Sequence, residues 1–109
     1  MKRILVVDDN DQNLYMLKIL LEGNGYQLTL AKNGNEALEA AHSNTPDLII
    51  SDILMPGMDG FALCRECKKD GQLRDIPFIF YTATYTDPKD EQFALSLGAV
   101  RFIRKPSEP

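Results

Sequence analysis

Ile4-Leu5-Val6-Val7 is an unbroken apolar run that stops at two acids, Asp8 and Asp9, and Leu48-Ile49-Ile50-Ser51 runs in the same way into Asp52. Short apolar runs closed by turn residues predict buried strands, here over residues 3–7 and 48–51. The Pro/Gly-rich stretch Met55-Pro56-Gly57-Met58-Asp59-Gly60 marks the turn after the second. Between the two runs, Leu14, Leu17 and Leu21 recur at helical spacing, with Asn10 or Asp11 as cap and Gly23-Asn24-Gly25 as stop, which predicts a helix to about Glu22. Tyr26, Leu28 and Leu30 alternate with Gln27 and Thr29, as in a short strand near a sheet edge. Asn33 and Glu36 resemble a capping box, and Ala37, Leu38 and Ala41 face inward from the helix that follows, which Thr45-Pro46 stops.

The second half continues the alternation. Asp59 or Gly60 opens a third helix with Gly60, Leu63, Cys64 and Cys67 on its inner face, fading at Lys68-Lys69-Asp70-Gly71. Pro77-Phe78-Ile79-Phe80-Tyr81 reads as a strand ending at Thr82, Asp87-Pro88 as a helix start with Gly98 as its stop, and residues 101–104 as a last short strand before Lys105-Pro106. Alternating strands and helices predict an α/β fold, a parallel sheet with helices on both faces. Ligands in such sheets bind beyond the carboxyl ends of the strands. Asp8, Asp9 and Asp52 should therefore converge at that edge, with Lys105 adding a cation.

Composition narrows the function classes. The chain has 109 residues, 44% hydrophobic and 26% charged, enough for one domain with one core. A net charge of −4 without any basic tract speaks against a nucleic-acid binder, which needs excess Lys and Arg to neutralise phosphates. No apolar run approaches the roughly 18 residues that span a bilayer, and the four apolar residues after Met1-Lys2-Arg3 are too few for a signal peptide, so a cytoplasmic protein is expected. Cys64 and Cys67 form a C-x-x-C, but zinc lacks a second ligand pair and both thiols fall on the predicted buried stripe, so core packing is expected. The single histidine, His42, reads as a solvated helix-end residue.

Taken together, Asp8-Asp9 after the first strand, Asp52 followed by Met55-Pro56-Gly57-Met58-Asp59-Gly60, Thr82-Ala83 after the fourth strand, and Phe102 with Lys105-Pro106 after the fifth resemble the receiver domain of two-component response regulators. The resemblance runs from Lys2 to Pro106. It implies the flavodoxin-like, doubly wound five-stranded sheet of order 2-1-3-4-5. It also implies a phosphoacceptor switch in a histidine-to-aspartate phosphorelay, in which Asp52 takes a phosphoryl group from a histidine kinase or histidine phosphotransfer domain.

Residue chemistry fits that implication. A carboxylate and a phosphoryl group repel, so the site needs positive charge, and hard oxygen ligands such as Asp8, Asp9 and Asp52 select magnesium, or manganese in its place. The resemblance adds the backbone carbonyl of Leu54 to the metal ligands, a cis bond before Pro106, and Thr82 and Phe102 as switch residues. Lys105 would balance phosphoryl charge and the Thr82 hydroxyl would donate to it, beside the small Ala83. Leu54 and Thr84 occupy positions that in this family influence dephosphorylation. The chain itself would not be an enzyme acting on a separate substrate, although a longer parent could carry a histidine kinase.

Two rivals come from other classes. A small-substrate phosphohydrolase would place its acids as Asp-x-Asp on one strand end, and a flavin-binding domain would want a Ser/Thr/Gly-rich loop where Asp8-Asp9-Asn10-Asp11 stands. Residues 1–106 are taken as the receiver domain and 107–109 as the start of a truncated fifth helix or a linker. That reading expects a fragment of a longer regulator or hybrid kinase. Apolar side chains on one face of strands three to five would be left partly open to a homodimer or another contact.

Overall fold

The computed structural model describes residues 2–83 and 87–105. They form β1 (Arg3–Val7), α1 (Asp11–Glu22), β2 (Gln27–Ala31), α2 (Gly34–Ser43), β3 (Leu48–Ser51), α3 (Gly60–Lys69), β4 (Phe78–Thr82), α4 (Pro88–Ser96) and β5 (Arg101–Arg104). The strands are all parallel, in the order β2-β1-β3-β4-β5. This is the flavodoxin-like arrangement, with four helices among the described residues. Pro106 and residues 107–109, and with them the expected cis bond and truncated helix, lie outside the described residues, as does Thr84.

Helix starts follow local chemistry. The first amides of a helix lack backbone acceptors, and a short polar side chain supplies one. The side-chain oxygen of Asn10 accepts from the Asn13 N–H (3.0 Å), Asn33 from Glu36 (2.8 Å), Asp59 from Ala62 (2.8 Å) and Asp87 from Lys89 (2.8 Å). The box expected at Asn33 is offset by one residue. Glu36 accepts from the Lys32 N–H (3.1 Å), while its other oxygen meets the Asn33 side-chain amide (3.3 Å). A reciprocal box closes instead at α4, where the Asp87 N–H donates to Asp90 (3.2 Å).

Side chains alternate across each strand, so the sheet builds two cores. One packs Leu5, Val7, Ile49, Phe78, Phe80 and Phe102 under α2, α3 and α4. The other is small: Ile4, Val6 and Leu14 are buried, with Leu17, Leu21, Leu28, Leu48 and Ile50 partly buried against them. On that face α1 packs against β1 and β2, and Ile79, Tyr81 and Ile103 farther along remain half-buried. The partly open face over strands three to five is thus present in the described residues.

The expected helix stripes hold, with two additions. Cys64 and Cys67 are buried and unbridged, and burial pushes their thiols up to about 11 and about 12, as for core groups. His42 is not simply solvated: its Nε2 lies 2.6 Å from Asp70 Oδ2, tying the end of α2 to the cap of α3. The two residues are 28 positions apart, a contact created by helix packing. The turn after α3 also reaches the core through Leu73, which is fully buried, and Lys68 Nζ braces it by donating to the carbonyls of Arg74 (3.2 Å) and Ile76 (3.1 Å).

Candidate functional site

The carboxyl edge of the sheet gathers the predicted residues. The Asp8 N–H continues the ladder to the Ala31 carbonyl (3.0 Å) and the Asp52 N–H to the Val7 carbonyl (2.9 Å), so both acids extend their strands by one position. Alternation places them on the α1 side, in step with Val6 and Ile50. Carboxylate oxygens of Asp8, Asp9 and Asp52 lie within 4.8 Å of one another, with Asp8 buried, Asp52 half-buried and Asp9 exposed. Asp11 stands apart in an ion pair with Lys32 (2.7 Å).

Backbone donors hold two of these acids. Asp8 accepts from the Asn10 N–H (2.9 Å) and Asp52 from the Ile53 N–H (2.7 Å). Lys105 Nζ donates to Asp8 (3.1 Å) and stands 3.6 Å from Asp52, its side chain only 11% exposed. The cation expected at this edge thus bridges both acids and lies nearer Asp8. Burial pushes the Asp52 carboxyl above its ordinary range, and the Asp8 charge adds to this, while the Ile53 N–H and Lys105 pull the other way.

Close packing fixes the turn after Asp52. A Cβ on Gly60 would lie 2.2 Å from the Asp52 carbonyl oxygen, so only glycine lets α3 begin there. The Gly60 N–H donates to the Ile53 carbonyl (2.7 Å). Gly57 bends the intervening loop at φ +74, a conformation that favours glycine. Leu54 sits in this loop with its side chain exposed.

The candidate switch residues lie on the other side of the sheet. Thr82 is fully buried, and its carbonyl accepts from the Lys105 N–H (2.7 Å). Phe102 is buried with its ring 6.3 Å from that of Phe80. Arg104 places its guanidinium 5.3 Å above the Phe102 ring and pairs with Glu91 of α4 (2.9 Å). Sequence reasoning passed over Arg104 and Glu91, and also Tyr81, whose ring centroid is 5.0 Å from Lys105 Nζ. Strand parity was the available signal for Tyr81, since it alternates with Phe80 and Thr82.

The Response regulator receiver domain family matches residues 4–109. The chain belongs to this family. It is 37% identical over 106 residues to protein PilH of Pseudomonas aeruginosa, covering 97% of this chain and 87% of PilH. It is 41% identical over 105 residues to the response regulator PleD of Caulobacter vibrioides, covering 95% of this chain but only 23% of PleD. Among solved structures, the signal receiver domain of a signal transduction histidine kinase from Syntrophus aciditrophicus superposes with a TM-score of 0.89 at 45% identity, covering 99% of this chain and 81% of that one. As a receiver domain, the chain accepts a phosphoryl group in two-component signalling. Receiver domains of this family typically bind magnesium at an acidic pocket, and this chain gathers an acidic cluster of Asp8, Asp9 and Asp52. No helix among the described residues is long and apolar enough to cross a membrane.

Proposed function

We propose that Asp52 is the phosphoacceptor of this receiver domain and that a histidine kinase or histidine phosphotransfer domain is its donor. The observation that carries the reading is the convergence of three carboxylates and one half-buried lysine at a single sheet edge. An Asp52 oxygen attacks the phosphorus of phosphohistidine, an O–P bond forms, and the P–N bond breaks with its electron pair returning to the imidazole. Lys105 then turns from the carboxylates to a phosphoryl oxygen, and the hydroxyl of Thr82, the last residue of β4, donates to another over the strand end. Water later cleaves the acyl phosphate and releases inorganic phosphate. The chain turns over no separate substrate in this cycle.

The donor set fits a magnesium ion. Three carboxylate oxygens within 4.8 Å, two of them on half-buried or exposed residues, are hard donors with room left for water. Asp8, Asp9 and Asp52, with the carbonyl of Leu54, would hold the ion, which supplies positive charge against the incoming phosphoryl group. Phosphorylation biases a two-state element through Thr82 and Phe102. The half-open α1 face supports a homodimer or another protein contact, in a cytoplasmic setting and without direct binding to nucleic acid or membrane.

The test is intact mass after incubation with magnesium and a small acyl phosphate. One phosphoryl adduct is expected, and Asp52→Asn should abolish it; an unchanged adduct in that variant overturns the assignment. Calorimetric titration of magnesium should show weaker binding to Asp9→Asn, and undiminished affinity would move the metal elsewhere.

A further inference from the structure

We propose that Tyr81 is a positioning residue for Lys105, its ring forming one wall of the pocket that holds the lysine head group. The functional part of this inference rests on the phosphoacceptor reading above.

Sheet register brings the two together. Phe78 and Phe80 point into the core under α2–α4, so Ile79 and Tyr81 point to the α1 side, as do Asp8 and Asp52. Val7, Ser51 and Phe80 are successive register partners across β1, β3 and β4, and Asp8, Asp52 and Tyr81 are the next residue on each. They share one rung and one face. Tyr81 pairs with Ile103 of β5, and Lys105 is two residues farther on, on that same face. The Lys105 N–H bonded to the Thr82 carbonyl at 2.7 Å anchors its backbone beside β4.

The head group is therefore enclosed by unlike partners. Its Nζ has the Tyr81 ring centroid at 5.0 Å, Asp8 at 3.1 Å and Asp52 at 3.6 Å. An ammonium is strongly hydrated and its stem is flexible, so holding it at 11% exposure needs something in place of water. The negative face of an aromatic ring does this without a lone pair that competes with a carboxylate. Ring attraction is weakly directional, and it persists while Lys105 exchanges its carboxylates for phosphoryl oxygens. Tyr81 thus keeps the lysine in the pocket while its anionic partner changes.

The contact itself is read by NMR. The Lys105 ε-methylene protons, assigned by their loss in Lys105→Arg, should be shifted upfield by the ring in the wild type and in Tyr81→Phe, and should return to ordinary values in Tyr81→Leu. Phosphoryl uptake from a small acyl phosphate with magnesium should fall roughly three- to thirtyfold in Tyr81→Leu. Tyr81→Phe should match the wild type, and in a Lys105→Met background Tyr81→Leu should cause no further loss. An unshifted ε-methylene in the wild type, a Phe variant as slow as the Leu variant, or an equal loss in the Lys105→Met background would each overturn the proposal. If the wild type gains no adduct at Asp52, the phosphoacceptor reading fails, while the ring-current shift still decides the contact.

Discussion

On the α2–α4 side of the sheet, Leu5, Val7, Ile49, Phe78 and Phe80 are at most 1% exposed beneath three helices; on the other side Leu48, Ile50, Ile79, Tyr81 and Ile103 are half-buried, and α1 is the helix that packs there among the described residues. The site divides along the same line. Asp8, Asp52 and Lys105 gather on the half-open side, with the exposed Asp9 beside them. Thr82, Phe102 and Arg104 lie on the packed side. Close-packed interiors transmit displacement because they compress little. A charge placed on one face is therefore suited to being read through the other.

Truncation on each face measures the contrast most directly. Phe78→Ala, at a fully buried ring, should cost about 3–5 kcal/mol, whereas Ile79→Ala on the half-open face should cost clearly less, about 1–2 kcal/mol. Urea unfolding of the two variants gives both numbers, and equal losses would mean that the faces are equally packed in solution.

Gly60→Ala asks whether the packed face sets the chemistry of the other. The added methyl meets the Asp52 carbonyl at 2.2 Å, and relieving that overlap must shift α3 or the Asp52 backbone, at about 1–3 kcal/mol. Phosphoryl uptake should slow together with the loss of stability. A destabilised variant that reacts at the wild-type rate would show that α3 does not position Asp52.

The smallest effect is expected far from the edge, at His42 and Asp70. The His42 hydrogen bond, with the Gln72 N–H beside it, holds the Asp70 carboxyl below its ordinary range. A carboxylate lowered on folding adds stability that is present above its unfolded value near 3.8 and is lost as pH falls through the folded value. Thermal melts of wild type and Asp70→Asn should therefore differ slightly at pH 5 and converge in strong acid. A gap that widens on acidification would reverse the sign.

Much of the scaffold was legible because its causes are local. The Asn10, Asn33, Asp59 and Asp87 caps bond to amides two or three residues away, and the apolar runs before Asp8 and Asp52 carry their own burial. The gathering of three acids at one edge followed from parallel strands that all end on the same side. Only half of the Asn33 box formed: Asn33 accepts from the Glu36 N–H, while Glu36 turns back to the Lys32 N–H, an amide that spacing alone does not choose over its neighbour.

By itself, the sequence determined the order of elements, the helix starts and the strand tips that carry Asp8, Asp52, Thr82 and Lys105, since each depends on side-chain periodicity or a neighbouring amide. Only the tertiary structure decided that Lys105 bridges Asp8 and Asp52 with Tyr81 beside it, that Asp52 is buried enough to raise its pKa, and that His42 meets Asp70. The Lys105–Asp8 bond joins residues 97 positions apart. Such a contact is set by sheet register and by which face each strand turns toward α1, and neither is written in the residues on either side of it.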